Sequence, residues 1–485
     1  MIEFFTPLKP WIFFGPELSL AGLILLLLSF ELFSKTYRPK LIYLAVTGCF
    51  FIFLTFIPLW PISGSALYDM FQVNALSTFM KGILLGAAFL TLLTAREYTE
   101  TLGHRSNDFL ILILVSTLGA FFLASTNDLI SLFITIEWMT ISLYILTAYL
   151  RTDEYSLEAG TKYLIMGAFS SALFLYGISF IYGMVGGIGF DQIRQALPAV
   201  QENPLFLAGF FLILSGIGFK ISAFPFQLWV PDVYQGAPTP VTAFLSVASK
   251  TAGFTALIKI LFVMTGQNTL NWPIVIGVLS ATTLLYGNLG ALGQTNMKRL
   301  LAYSSIGHAG YLLMAAATGT LLGIEALLFY LVAYAISNLT VFLIVTITNR
   351  DLGNGEIASY RGLAKKNPFL AACFFIALLS LGGIPPLAGF FGKFLVLQAA
   401  VLRGYLWLAL LGAVNVIISL YYYLSVVKEM YFKTAAADEK IKLRTSTQIL
   451  LLLLVIAIIG IGIFQAPLLN LVKIAALSFL PVGQV

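Results

Sequence analysis

Cysteine is nearly absent from this 485-residue chain. Cys49 and Cys373 both lie inside apolar runs and form no CxxC, so neither a disulfide framework nor iron–sulfur ligation is supported. Histidine occurs only twice, and there is no HExxH, no Walker loop and no GxGxxG following a strand, which leaves zinc and nucleotide sites equally unsupported. Charge is the third scarcity. Charged residues make up 10% of the chain against 59% hydrophobic ones, and the mean hydropathy is +0.95. A soluble core of this length has no room for so much apolar side chain, so the implied solvent is lipid. The formal charge of +6 is spread through short loops instead of forming one face, which argues against nucleic acid and for membrane topology.

What remains is a succession of apolar runs of about twenty residues, matching a hydrocarbon core of roughly 30 Å at 1.5 Å per helical residue. Barrel strands would be half as long and would alternate. The chain therefore reads as an all-α polytopic membrane protein. Fourteen spans are expected near 11–33, 40–60, 72–95, 107–125, 127–150, 160–184, 204–230, 239–265, 272–293, 299–320, 322–349, 367–399, 404–432 and 446–475. The first lacks a small-residue cleavage site and reads as a span, not a removable signal. No connection is long enough for a soluble domain, so 1–485 forms one membrane domain. Lys and Arg test the count, since about 18 of the 27 fall in the loops after odd-numbered spans and about 4 in the other loops and termini. Both termini are therefore expected away from the cytoplasm, with the basic loop from Lys428 to Arg444 inside it.

Two spans carry helix-breaking residues. Span 7 holds Gly216, Gly218, Pro225 and Pro231, and span 12 holds Gly382, Gly383, Pro385, Pro386 and Gly389. Non-helical backbone at membrane depth is tolerated only where protein or a wet cavity surrounds it. The two are the fourth members of spans 4–8 and 9–13. Five spans per set is an odd number, so the second set, 272–432, enters from the side opposite to the first, 107–265, as inverted repeats do. Residues 1–95 supply three preceding spans and 446–475 a closing one.

Each break adjoins a lysine, and ionisable residues in apolar runs are the natural candidates for function. Glu137 lies about 14 Å into span 5 by helical rise. Lys220, beside the first break, is its expected partner, and moving a carboxylate toward or away from a buried amine switches that amine between holding and releasing a proton. Lys250 lies near the middle of span 8, and Lys393 follows the second break as the expected counterpart of Lys220 and terminal relay group. Lys259, about half a turn around from Lys250, is expected to reach an interface. Lys162 opens span 6 after the acidic Asp153, Glu154 and Glu158, either as a proton-intake residue or as an interfacial anchor. His308, among Ser304, Ser305, Gly307 and Gly310, either joins a water chain or packs through hydrogen bonds. Lys81 has no evident partner. The aromatic residues, including Tyr421 to Tyr423, read as core or interfacial belts. A row of lysines repels cations, which favours protons as the bound species.

The segment KISAFPFQLWVPDVYQGAPTP from Lys220, followed by Ser249 and Lys250, resembles the signature of the antiporter-like membrane subunits of respiratory complex I. EAGTKYLIMGAFSSALFLYG from Glu158, MKRLLAYSSIGHAGYLL from Met297 and GGIPPLAGFFGKF from Gly382 extend the similarity over nearly the whole chain. The resemblance implies fourteen helices with inverted repeats and proton pumping coupled to quinone reduction elsewhere in a larger complex. It implies roles for Glu137 and Lys220 as a coupling pair, Lys250 as central relay, Lys393 as the group opening to the far side, and Lys162 as a further functional lysine. It also implies that this chain holds no cofactor, while NADH, FMN, iron–sulfur clusters and quinone are handled by partner subunits in the membrane and in a peripheral redox arm. Gln227 departs from the pattern, since relatives often carry a histidine there and an amide takes up no proton near neutral pH. A subunit of a multi-subunit Na⁺/H⁺ antiporter and a purely structural connector are the competing readings.

Overall fold

A computed structural model describes residues 13–33, 40–60, 62–102, 106–264, 272–352, 355–434 and 440–478. Helices dominate. The first three are α1 (Gly15–Phe33), α2 (Leu41–Leu59) and α3 (Ala75–Leu102), with a hairpin of β1 (Gly64–Ala66) and β2 (Phe71–Val73) before the third. There follow α4 (Ser106–Ser125), α5 (Leu129–Thr147), α6 (Glu154–Val185), α7 (Phe190–Val200), α8 (Pro204–Ile221), α9 (Trp229–Gly236) and α10 (Thr239–Met264). The remainder comprises α11 (Trp272–Ala291), α12 (Met297–Ala317), α13 (Leu321–Leu352), α14 (Leu363–Lys366), α15 (Pro368–Gly382), α16 (Ala388–Leu402), α17 (Leu406–Phe432), α18 (Thr445–Ile463) and α19 (Ala466–Leu477).

Thirteen of these helices are long and apolar enough to cross a membrane. The fourteenth expected span, the twelfth in order, is present as α15 and α16, each of 15 residues and too short singly because the Gly-Pro segment divides it. Helix starts follow local chemistry. Asp128, Asn203, Asn296 and Asn367 each accept a hydrogen bond from a backbone N–H of the following turn, and Pro204 and Pro368 open their helices.

Several expected boundaries shift. Residues 72 and 73, read as the start of span 3, belong with Phe71 to the strand that pairs with β1. Span 6 begins at Glu154, with Asp153 as its cap, so Lys162 lies two turns inside it and does not open it. The second half of span 7 extends to Gly236. The connection 184–204 contains the amphipathic α7, whose buried residues Phe190, Ile193, Leu197 and Val200 form one face. The closing segment 446–475 divides after Ile463, where Gln465, Ala466 and Pro467 start a separate helix. Residues 11, 12 and 265 of the expected spans lie outside the described residues.

Backbone bonds between loops define two faces. On one, the hairpin meets the α4–α5 turn through Asn127 N to Met70 O at 2.8 Å, that turn meets residues 188–190, and Leu76 N at the start of α3 donates to Ser478 Oγ past the end of α19. On the other, Met297 N donates to Gly355 O, Gly362 N to Glu429 O, and the Asn367 amide to Ile441 O. The second face carries Arg151, Arg361, Lys365, Lys366 and Lys440, and is called the basic face; the first is the hairpin face.

Helices α11 and α12 pack most closely. A Cβ built on Gly287 would stand 2.3 Å from the backbone nitrogen of Gly307, and backbone has nowhere to go. Gly287→Val should cost about 1–3 kcal/mol through overpacking and lower the unfolding temperature in detergent, whereas Gly460→Val, with nothing within 4 Å, should not.

Candidate functional site: a row of buried ionisable groups

The two interrupted spans stop in the same manner. α8 ends at Ser222 with φ of 65°, and α15 ends at Gly383 with φ of 88°, both left-handed caps. Each interruption contains a cis peptide bond, Phe224–Pro225 and Pro385–Pro386. Lys220 stands in the last turn of α8, and the Lys393 Nζ donates to Gly382 O, the last carbonyl of α15, at 3.0 Å. The electronegative end of a half-helix thus faces each lysine. The two are not in equivalent register, because Lys220 precedes its break and Lys393 follows its own.

At one end of the row, Glu137 Oε1 lies 3.9 Å from Lys220 Nζ. The pair is loose. Lys220 donates at 2.9 Å to Thr140 Oγ1, one helical turn from Glu137, while Ser171 Oγ donates to Glu137 Oε1 at 2.5 Å. Lys220 is 3% exposed and Glu137 22%, beside the outward-facing Ile134, Trp138 and Ile141. The carboxylate therefore sits at the rim of the protein and the amine behind it. Ser249 Oγ reaches Lys220 O at 3.3 Å, and Gly253 lets α10 lie against Ile221 at the broken end of α8.

Next to Ser249, Lys250 is buried and donates to the backbone oxygen of Ser305. The Ser305 hydroxyl lies 3.2 Å from Tyr234 OH and accepts from Tyr334 OH at 3.1 Å. One turn on, His308 is held by Tyr330 OH at Nδ1, 2.6 Å, and by Tyr423 OH at Nε2, 3.2 Å; Tyr423 OH also bonds Ser304. Tyr330 packs edge-on to Tyr311, over whose ring Lys393 Nζ stands at 5.0 Å, with Ser419 Oγ at 3.5 Å. Glu137, Lys220, Lys250, His308 and Lys393 thus follow one another across the middle of the protein, with hydroxyls and backbone oxygens beside the first three and packed rings, Tyr334 on His308 and Tyr330 on Tyr311, completing the line to Lys393.

Lys162 is not in that row. Its Nζ lies 2.6 Å from Asp232 Oδ2 and 2.7 Å from Glu158 Oε1 on the basic face, and Asp232 Oδ1 is shared with Arg299 at 2.7 Å. Gln227 is buried, and its Oε1 has no hydrogen-bond partner among the described residues.

Two expectations are corrected. Lys81, expected to lack a partner, stands 2.6 Å from Glu17 Oε1 with both residues 1% exposed. Lys259 does not reach an interface; it is buried and donates to Ala124 O at 2.8 Å and Thr126 O at 2.7 Å, the free carbonyls at the end of α4. Tyr234, Tyr330, Tyr334 and Tyr423 were missed as members of the row. The spacing of Tyr330 and Tyr334, one turn apart on a face that continues through the polar Ser337 and Asn338, was the available signal. Tyr421 is exposed and fits a belt, while Tyr422 and Tyr423 are buried hydrogen-bonders.

This arrangement, a bundle of membrane-crossing helices of which two are interrupted, is that of the antiporter-like membrane proteins. Residues 126–419, more than half of the chain, match the family described as NADH:quinone oxidoreductase/Mrp antiporter, transmembrane, and the chain belongs to that family. It is 39% identical over 461 residues to NADH-quinone oxidoreductase subunit N of Heliobacterium modesticaldum, covering 95% of this chain and 97% of the relative. Among solved structures it is similar to a chain of respiratory complex I from Thermus thermophilus, with a TM-score of 0.81, 30% identity and coverage of 94% and 98%. A chain of the Mrp complex from Dietzia shares the fold, with a TM-score of 0.83 at 22% identity over 95% and 96% of the two chains.

Tyr423 serves two buried groups at once. Tyr423→Phe should leave His308 Nε2 and Ser304 without that partner, costing about 1–3 kcal/mol for each group left unpaired, read as a lower unfolding temperature. Tyr421→Phe, on the exposed side, should change nothing measurable.

Proposed function

We propose that this chain is the proton-translocating membrane subunit of an NADH:quinone oxidoreductase, a non-redox part of an H⁺-translocating enzyme. The observation that carries the reading is the row from Glu137 to Lys393, in which every amine has an oxygen partner and buried hydroxyls and tyrosine rings lie between. Charges at the bilayer centre cost at least about 2.5–3.5 kcal/mol each, so a chain retains several only where they act. Glu137 and Lys220 form the coupling pair. Drawing Glu137 away deprives Lys220 of its counter-charge, and the proton released moves to Lys250. His308 and its tyrosines connect Lys250 to Lys393, which opens to the hairpin face. Lys162, fixed by Asp232, admits protons at the basic face. The spans from 107 to 265 and from 272 to 432 act as inverted repeats, flanked by 1–95 and 446–475 within one membrane domain.

NADH, FMN, iron–sulfur clusters and quinone are handled by partner subunits. The partly exposed Glu137 supports a neighbouring membrane subunit on that side, since a carboxylate at the rim faces lipid until a partner covers it. The chain lies in the bacterial plasma membrane with the basic face cytoplasmic and both termini opposite. Tyr68→Cys, at the exposed hairpin tip, should react with an impermeant maleimide applied outside cells, and Arg151→Cys only after permeabilisation; the reverse pattern overturns the orientation. The two native cysteines are buried and give little background.

In vesicles containing the whole complex, Lys250→Ala and Lys220→Ala should each suppress proton uptake while the complex still assembles. Undiminished NADH oxidation and pumping in both variants would refute the relay. Flavin and iron–sulfur absorbance in the purified native assembly is expected; its absence would favour the Na⁺/H⁺ antiporter reading, which the shared fold makes the principal competitor.

A further inference from the structure

Outside the row already described, a second group of buried ionisable residues lies under the hairpin face. Glu17 and Lys81, from α1 and α3, pair at 2.6 Å with 1% exposure each. The contact is ionic in distance but poorly aligned, and both Glu17 oxygens and Lys81 Nζ have no hydrogen-bond partner among the described residues. Ser125 Oγ and Asp128 Oδ2, buried at the α4–α5 turn, are likewise unpartnered. Lys259 reaches that turn from α10, the helix packed against α3, which carries Lys81.

The same helix links this group to Lys250. Thr251, Thr255 and Lys259 follow one another at spacings of four and form a continuous stripe on one side of α10, all buried, beginning beside Lys250. Thr255 Oγ1 donates to Thr251 O at 2.7 Å, and Thr251 Oγ1 has no hydrogen-bond partner among the described residues. From Lys250 to Lys259 is about 13 Å along the axis. A buried ion pair is replaceable by apolar side chains of similar size without loss of stability, so stability alone does not account for these charges.

We propose that Thr251, Thr255, Lys259, Lys81 and Glu17 form a second proton outlet from Lys250 to the hairpin face, separate from the one at Lys393. The proposal rests on the relay reading, with Lys250 as the shared node. An ammonium Nζ has three protons, and Lys259 commits two of them to the carbonyls of Ala124 and Thr126. The third passes to the Glu17 carboxylate, leaving a neutral amine with both hydrogen bonds intact and a neutral carboxylic acid. Glu17 then releases the proton at the hairpin face and returns to its pairing with Lys81. Lys259 is recharged from Lys250 along the threonine hydroxyls and the water that such polar walls hold. Glu17 and Lys81 lie outside residues 126–419, so the outlet joins the family's common part to the three preceding helices.

The test uses the intact complex in liposomes, reading protons taken up per electron passed. Lys393→Ala should leave measurable pumping, carried by the second outlet. Adding Thr255→Val, or Glu17→Gln with Lys81→Met, should reduce that remainder by about tenfold or more, the scale on which a lost proton-transfer group acts. Thr255→Val alters no charge and scarcely any volume, so it stands as the arm least exposed to misfolding. If Lys393→Ala alone abolishes pumping, or if its residual pumping is indifferent to both additions, the second outlet is overturned. If pumping survives Lys250→Ala, the relay reading itself fails and this inference with it.

Discussion

The hydrocarbon solvent sets the terms for every other feature of this protein. Lipid offers neither hydrogen bonds nor counter-charge, so each polar group inside must find its partner within the chain. Lys220, Lys250, Lys259 and Lys393 all satisfy this by donating to oxygens, and three of the four use backbone carbonyls. For Lys259 and Lys393 those carbonyls are free because α4 and α15 end where the lysines arrive, whereas Lys250 meets Ser305 O in the middle of α12. At these two lysines, helix ends and buried amines are two sides of one arrangement: the ends expose the acceptors that make the charges tolerable, and the charges stabilise the ends.

Tyrosine plays a complementary part. Its ring occupies apolar volume while its hydroxyl gives and accepts a hydrogen bond, so a bundle can be packed at ordinary density and still conduct polarity from helix to helix. The Tyr330 and Tyr423 hydroxyls hold His308 from two sides, and Tyr234 and Tyr334 converge on Ser305. Lys250 and Lys393 can be far apart in sequence and still belong to one network because three helices, α9, α13 and α17, contribute these phenols.

Much of this was legible in the sequence because the membrane simplifies the code. Apolar run length and loop charge located the spans, and Pro-Gly clusters located the breaks. Single charges in apolar runs marked Glu137, Lys220, Lys250 and Lys393. What escaped were relationships between segments. Lys81 looked solitary because its partner, Glu17, is sixty-four residues earlier on another helix. Lys259 was assigned to an interface from its position near a helix end, whereas the end of α4 turned out to be the acceptor. Composition assigns the tyrosines to core or belts without telling which, since nothing in one strand of text distinguishes a ring facing lipid from one whose hydroxyl meets a histidine. Lys162 was placed in a first turn because acidic residues usually precede helices, and here they begin one.

One close contact bears on how the protein is made. A side chain at Gly462 would collide with the carbonyl of Pro386 at 2.0 Å, so α18 lies directly against the second break. Residue 462 leaves the ribosome after everything it covers. Until that helix inserts, the interruption beside Lys393 has one flank bare to lipid, and a nascent chain halted before it would present an unsealed polar gap to the insertion and quality-control machinery. α18 thus acts as a closure for the second break, and its insertion becomes a condition for a sound permeability barrier.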